Sequence, residues 1–219
     1  MRTLILSDCL IGNEETNIVK LNLFLHNLEC DRIIFAGDLF DLKCATPASI
    51  KHDYRPTLDF ISRLWTKKVK IEYLLGDHDK DYLLDPIMGP LELPVVTSVD
   101  FSTPNGRKIK VIHGHEFDHF FRWHRLIAPI SKFFGGKPTY RNCNHFTGDL
   151  YQVAVDEIHT GAREAHTGKT DVLVMGHTRT PCHLTCLDNL VETYDCGDWE
   201  THASYVEIMG DKINIRYLA

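Results

Sequence analysis

The chain has 219 residues, of which 43% are hydrophobic and 25% charged, enough apolar sequence for one large domain with its own core. The formal net charge of −6 argues against a general nucleic-acid-binding protein, because such proteins are usually basic. No apolar run approaches the roughly 20 residues that span a bilayer. We therefore expect one domain over residues 1–219 and no nucleic-acid partner.

The predicted elements alternate between strands and helices along the chain. Short apolar runs predict buried strands, and apolar residues at every third or fourth position predict helices. The predicted strands are 2–7, 32–36, 69–75, 108–112 and 171–175. The predicted helices among them are 16–28 and 56–65, and a closing hairpin is predicted from 205–208 and 213–217. This alternation favours an α/β sandwich over an all-β fold.

The segment between His113 and His177 breaks this alternation. We predict helices over 117–134 and 146–166 and treat 116–167 as a helical cap insertion. Basic and aromatic residues interleave in the first helix, including Arg122, Trp123 and Arg125. One interpretation is an amphipathic packing helix; the other is a lid in which these three side chains bind an anionic, partly apolar substrate. A basic amphipathic stretch can also contact an anionic membrane surface.

The seven cysteines are odd in number and show no disulfide framework. Reduced thiols in a cytoplasm are the simplest interpretation. The start of the chain reaches Asp8 too early for a secretory leader and reads as a first core strand. We therefore expect a cytoplasmic protein with, at most, peripheral membrane contact.

Five short polar segments each follow an apolar run and carry aspartate or histidine. Carboxylates and imidazoles are ligands that suit Mn, Fe, Zn or Ni. Because α/β sheets place their ligand sites at the carboxyl ends of strands, these segments should lie on loops at one edge. The segments are 7–10, 37–41, 76–79, 113–115 and 176–179.

In order, spacing and residue type these segments resemble the calcineurin-like metallophosphoesterases. The resemblance implies a βαββ sandwich of two mixed sheets flanked by helices, and hydrolysis of phosphate ester or pyrophosphate bonds by a metal-bound hydroxide. Segments 37–42, 113–118, 176–181 and 197–199 look like the branch that contains UDP-2,3-diacylglucosamine hydrolases. The expected substrate is therefore a phosphorylated small molecule, a nucleotide sugar or a lipid.

The resemblance implies that one metal position is intact. Its ligands would be Asp38, Asp77, His113 and His177, with Asp77 in place of a neutral amide. By the same resemblance His78 would assist the leaving group and Asp79 would be its orienting acid. We expect one divalent transition metal per chain (Mn, Fe, Zn or Ni) rather than two.

The resemblance also implies that the other metal position is damaged. Two of its ligand positions, where the family has histidines, hold Leu10 and Arg179, which leaves Asp8 and the shared Asp38. We hypothesise that Arg179 partly replaces the lost metal, because a guanidinium can bind a carboxylate or phosphate through two hydrogen bonds. His115 is a candidate to bind substrate or to substitute as a metal ligand.

Two classes of function remain open at this point. The first is a metallophosphoesterase of phosphodiesterase or pyrophosphatase type, mononuclear and slow. The second is a catalytically weakened fold that serves as a protein-interaction scaffold or anionic-lipid binder. Leu10 and Arg179 favour the scaffold, whereas Asp77, His78 and Asp79 favour the enzyme, since a scaffold has little reason to keep His78.

Overall fold

The computed structural model describes residues 1–79, 87, 95–118, 149–185 and 190–218. Within these ranges the chain forms eleven strands, four α-helices and one 3-10 helix at His115–Phe117. The strands are β1 (Arg2–Leu6), β2 (Arg32–Ala36), β3 (Lys70–Leu74), β4 (Val95–Val96), β5 (Val99–Ser102), β6 (Lys108–Val111), β7 (Val172–Met175), β8 (Cys182–Leu184), β9 (Glu192–Asp195), β10 (Ser204–Met209) and β11 (Lys212–Tyr217). The α-helices are α1 (Ile18–His26), α2 (Pro47–Asp53), α3 (Arg55–Thr66) and α4 (Asp149–His166).

The strands form two mixed sheets that pack face to face. The six-stranded sheet has the order β11-β10-β1-β2-β3-β4, and the five-stranded sheet has the order β5-β6-β7-β9-β8. Ile5, Ile34 and Leu74 of the first sheet share one buried cluster with Val111 and Val174 of the second. Burial of these side chains on both sheets forms the central core.

Helices cover the outer faces of both sheets. Leu4 and Leu6 point to the opposite side of β1 from Ile5, as strand alternation requires, and pack in a second cluster with residues of α1 and α3. On the other sheet, Ile158 and Ala162 of α4 pack against Leu173 and Met175. The predicted architecture of two mixed sheets flanked by helices is therefore confirmed.

The long apolar strands were predicted within one or two residues, and the closing hairpin is present as β10 and β11. The sequence prediction did not include α2 or the short strands β4, β5, β8 and β9. Thr46 and Ser49 form a capping box at the start of α2, and this helix buries only Ile50. Short elements with so few buried residues show little periodicity.

The predicted cap can be compared with the structure only in part. Its second helix is observed as α4, whereas 119–148, and with it most of the predicted helix over 117–134, lies outside the described residues. The single-domain assignment with a cap therefore stays a prediction. None of the helices in the described ranges is both long and apolar enough to cross a bilayer.

Candidate metal centre

The five polar segments lie on the loops that follow β1, β2, β3, β6 and β7. Leu6 of β1 pairs with Phe35 of β2, so the first two loops leave the sheet side by side. The backbone N–H of Leu10 then donates to the carbonyl of Asp38 at 2.9 Å. The two sheets meet where the N–H of His177 donates to Oδ2 of Asp8 at 2.9 Å. Loops from both sheets thus build one site.

Four side chains converge at the centre of this site. Asp38, Asp77, His113 and His177 each offer one ligand atom, and these atoms lie within 4.8 Å of one another. Nε2 of His113 is 3.4 Å from Oδ2 of Asp38 and 3.7 Å from Oδ1 of Asp77. Nδ1 of His177 is 3.2 Å from Oδ1 of Asp77. These four residues, called the quartet below, form a candidate metal-binding cluster.

The free atoms of the quartet fit a cation. Oδ1 of Asp77 and Nε2 of His113 are buried, and neither makes a hydrogen bond within the described residues. Buried polar atoms left in this way are costly unless something binds them. Both are ligand atoms for a transition metal, so the donor set and its orphaned atoms fit such an ion.

Each histidine of the quartet is oriented through its other ring nitrogen. Nδ1 of His113 lies 2.8 Å from the carbonyl oxygen of Ala36, and Nε2 of His177 lies 2.8 Å from Oδ2 of the buried Asp118. Metal-binding histidines commonly donate their second N–H to a carbonyl or carboxylate, which fixes the tautomer and the ring. Sequence reasoning assigned no role to Asp118, although it comes three residues after the fourth polar segment.

Protons balance the charges of the quartet in the metal-free chain. Burial opposes ionisation of Asp38, but the positive charge of His113 outweighs it and lowers the pKa of Asp38 to about 2. Burial likewise opposes the charge on His177, yet its hydrogen bond to Asp118 and the nearby carboxylate of Asp77 raise the pKa of His177 to about 9. Because ligating histidines must be neutral, metal binding would release these protons.

His78 lies beside the quartet but is oriented by a different acid from the one expected. Its Nδ1 is 3.0 Å from Oδ1 of Asp41, and its backbone N–H donates to Oδ1 of Asp38 at 2.8 Å. Asp79 instead accepts the backbone N–H groups of Asp38, Phe40 and Gly76, at 2.7, 3.1 and 3.0 Å. The orienting contact predicted for Asp79 is therefore made by Asp41, because the Asp79 carboxylate is turned inward to hold the loops.

Close approach of the loops requires glycine at two positions. A Cβ on Gly76 would collide with the carboxylate and backbone of Asp38, and a Cβ on Gly37 would collide with the ring of His113. Gly37 also has a φ of +94°, which favours glycine. The missing side chains leave the space that the quartet fills.

Lys43 is a further charged residue at the site that sequence reasoning missed. Its ammonium contacts Oδ2 of Asp77, the carboxylate oxygen that is not oriented toward the histidines. The Lys43 side chain is 39% exposed. A cation thus lies at the open side of the quartet.

The other half of the site contains an ion pair. Nε of Arg179 is 3.6 Å from Oδ1 of Asp8, and its Nη1 donates to Glu200 at 3.1 Å. Leu10 is fully buried. The guanidinium therefore lies between two acids, of which Glu200 was not predicted.

The backbone of both halves has an uncommon conformation. Five non-glycine residues of the polar segments have positive φ, a region that such residues rarely adopt. For Leu10 the angle is 48° and for Arg179 it is 57°. The others are Asp8, Asp38 and His177. Such strained turns cluster at functional sites, and here they persist at the two positions that lack histidine.

The remaining predicted site residues are only partly described. His115 lies with its ring centre 5.3 Å from that of His113, but it is not among the converging ligands. Burial, followed by the charge of His113, lowers the pKa of His115 and so favours the neutral ring. Arg122, Trp123 and Arg125 lie outside the described residues.

Comparisons with known proteins give a partial sequence match and matches of the overall fold. No protein-family model matches the chain. Over 81 residues it is 36% identical to a UDP-2,3-diacylglucosamine hydrolase from Psychromonas ingrahamii, a match that spans 36% of this chain and only 30% of that protein.

Two solved structures have the same fold over the whole chain. One is YfcE, a phosphoesterase from E. coli, with a TM-score of 0.52, 18% identity and coverage of 100% of this chain and 97% of that one. The other is an archaeal phosphodiesterase, with a TM-score of 0.51, 15% identity and full coverage of both chains. The chain has a metallophosphoesterase fold and resembles the calcineurin-like superfamily.

Proposed function

We propose that this protein hydrolyses phosphate ester or pyrophosphate bonds with one divalent transition metal per chain. The observation that carries the proposal is the convergence of the Asp38, Asp77, His113 and His177 ligand atoms within 4.8 Å. A metal bound there would polarise a phosphoryl oxygen and lower the pKa of a water molecule. The mixed nitrogen and oxygen donors suit Mn, Fe, Zn or Ni.

In this proposal His78 supplies the proton for the leaving group. Its Nδ1 is engaged by Asp41, so Nε2 is the ring atom that can deliver a proton to an ester oxygen. Burial lowers the pKa of His78, but the hydrogen bond to Asp41 and the charge of Asp38 outweigh burial and raise it. The raised pKa favours the protonated ring, which is the form that a general acid needs.

Arg179 explains why one metal, rather than two, is proposed. Asp8 is 1% exposed, and a carboxylate so deeply buried needs a nearby positive charge. Arg179 provides that charge from the position at which a second imidazole would be needed. A guanidinium cannot activate water as a metal does, so we expect slower hydrolysis than a two-metal site would give.

The substrate is proposed from the partial sequence match. A relative named as a UDP-2,3-diacylglucosamine hydrolase makes a nucleotide sugar that carries acyl chains the first natural substrate to assay. The quartet and the adjacent His78 support catalysis over the scaffold alternative, because binding to a protein partner needs neither.

The test compares leaving groups in a His78→Ala variant loaded with Mn²⁺ or Zn²⁺. General acid assistance is worth roughly 10²–10⁴ in rate, and p-nitrophenolate needs little of it. We expect hydrolysis of alkyl esters to fall by about that factor and that of p-nitrophenyl esters by about tenfold or less. The matched control is His52→Ala, since exposed His52 also pairs with an aspartate, Asp53, but on α2.

Equal rate losses on alkyl and p-nitrophenyl esters would contradict the role of His78 as a general acid. The proposed function itself would be contradicted if the wild-type protein showed no metal-dependent hydrolysis of diesters, pyrophosphates or UDP-sugar lipids. The His52→Ala control should retain wild-type rates on every substrate.

A further inference from the structure

We propose that Lys43 binds the phosphoryl group of the substrate, with Asp77 as the residue that holds it in place. The Lys43 ammonium contacts one carboxylate oxygen of Asp77, while the other oxygen of the same group faces His113 and His177. Lys43 therefore contacts the quartet directly, at the Asp77 oxygen that is turned away from the two histidines. The inference rests on the proposed function for its ligand, a phosphate anion.

The Lys43 backbone is fixed by the same acid that orients His78. Oδ1 of Asp41 accepts the N–H of Lys43 at 3.2 Å and lies 3.0 Å from Nδ1 of His78. The N–H of Leu42 also donates to the carbonyl of His78, at 3.2 Å. A cation and a proton donor are thus held on adjoining turns beside one metal-binding cluster.

The charge balance of the loaded site gives Lys43 its role. The carboxylates of Asp38 and Asp77 together cancel the double charge of one divalent ion, and the ligating imidazoles are neutral. The ligated centre by itself would then carry no net positive charge to attract an anionic phosphoryl group. Lys43 restores one positive charge at the exposed side of the site, where a substrate can reach it.

Metal binding would also release part of the hold of Asp77 on Lys43. A metal held by the quartet would share the negative charge of the Asp77 carboxylate. The ammonium, which has three donors, can then direct donors to phosphoryl oxygens while keeping its contact with Oδ2. Charge-assisted hydrogen bonds of this kind are about twice as strong as neutral ones.

The experiment titrates inorganic phosphate into Mn²⁺-saturated protein by calorimetry, with metal affinity measured separately in the absence of phosphate. Lys43→Met should weaken phosphate binding by about tenfold, as expected for the loss of one charge-assisted hydrogen bond. Lys43→Arg should recover most of that loss. Metal affinity should change by less than about threefold, because Lys43 touches only the Asp77 oxygen that faces away from the quartet. Lys51→Met, at an exposed position on α2, is the matched control.

Two results would overturn the inference. In the first, Lys43→Met binds phosphate as the wild type does. In the second, Lys43→Met lowers the metal affinity, and phosphate binding is weakened only at Mn²⁺ concentrations that leave the variant partly unloaded. Lys43 would then be only a counter-ion for Asp77. A wild-type chain that binds phosphate through Lys43 but hydrolyses no ester contradicts the proposed function and leaves this inference standing.

Discussion

The two halves of the site have similar backbones but different charges. Around the quartet, Asp38 and His177 offer ligand atoms from turns with φ of 54° and 69°. In the other half, Leu10 and Arg179 adopt the same left-handed region, yet one side chain is apolar and the other is a cation. The left-handed backbone is thus the same in both halves, although only the quartet offers metal-ligand side chains. The charges of the side chains then decide what each half can bind.

A continuous polar path joins the two halves. It runs from His78 through Asp41 to Asn13, whose side-chain amide also lies 3.2 Å from Glu200. Glu200 in turn accepts from Arg179, which pairs with Asp8. Arg179 is therefore held by the same network that contacts His78.

The largest expected effect is removal of a quartet ligand. His177→Ala leaves three ligands. Loss of a residue that only supports a ligand costs up to about 100-fold in metal affinity, so we expect loss of the ligand itself to cost about 100-fold or more. Metal-dependent hydrolysis should fall with it. Calorimetric titration with Zn²⁺ and elemental analysis of the loaded protein measure the change.

His115→Ala is the control for this ligand loss, because its ring is close to His113 but outside the quartet. It should bind metal as the wild type does. A large loss in His115→Ala with little loss in His177→Ala would mean that the metal is held by a different set.

A smaller effect is expected from the acid behind His177. Asp118→Ala removes the partner of Nε2 and should weaken metal binding by about 10- to 100-fold, as supporting residues of metal sites typically do. Asp118→Asn keeps a carbonyl oxygen that can accept the same N–H and should recover part of the affinity. Equal affinities for wild type and Asp118→Ala would show that Asp118 does not orient the ligand.

Restoring the other half tests whether Arg179 excludes a second metal. In the double variant Leu10→His and Arg179→His, two imidazoles join Asp8 and Asp38 on turns that already have the required backbone angles. We expect the Mn²⁺ content to rise from one toward two per chain, and diester hydrolysis to increase. This account of the Asp8 half would be refuted by a double variant that folds, still binds one metal per chain and hydrolyses diesters at the wild-type rate.

The smallest effect on hydrolysis, with a measurable effect on stability, is expected from His159, which supports the loop that carries His177 and Arg179. Asp195 accepts from Thr178, the residue between His177 and Arg179, and lies 3.1 Å from His159 of α4. Burial lowers the pKa of His159, but its contacts with Asp195 and Cys182 outweigh burial and raise that pKa to about 10. Burial raises the pKa of Asp195 as well, which offsets part of the gain.

Because the folded pKa of His159 is above the unfolded value of about 6.5, its stabilising contribution is complete below that pH and is lost as pH rises toward 10. His159→Gln should therefore reduce the free energy of unfolding by about 3 kcal/mol near pH 6 and by much less near pH 10. Urea unfolding at both pH values measures it. A pH-independent difference would indicate a packing role only.

Much of the fold follows from local sequence pattern. The long buried strands and the alternating helices were read within one or two residues, since a run such as Ile33–Phe35 has apolar side chains on both sides of its sheet. The order of the five polar segments after such runs also placed Asp38, Asp77, His113 and His177 at strand ends, where the structure brings them together. Their role as metal ligands remains a prediction.

The partners of those residues were decided only by the tertiary structure. His78 and Asp41 are 37 residues apart, Lys43 and Asp77 34, and His177 and Asp118 59. Such contacts depend on how loops that follow different strands direct their side chains, which local spacing does not specify. The sequence therefore determined which chemical groups are present at the strand ends, and the arrangement of neighbouring strands and their loops determined which acid lies beside each histidine and that Lys43 lies beside Asp77.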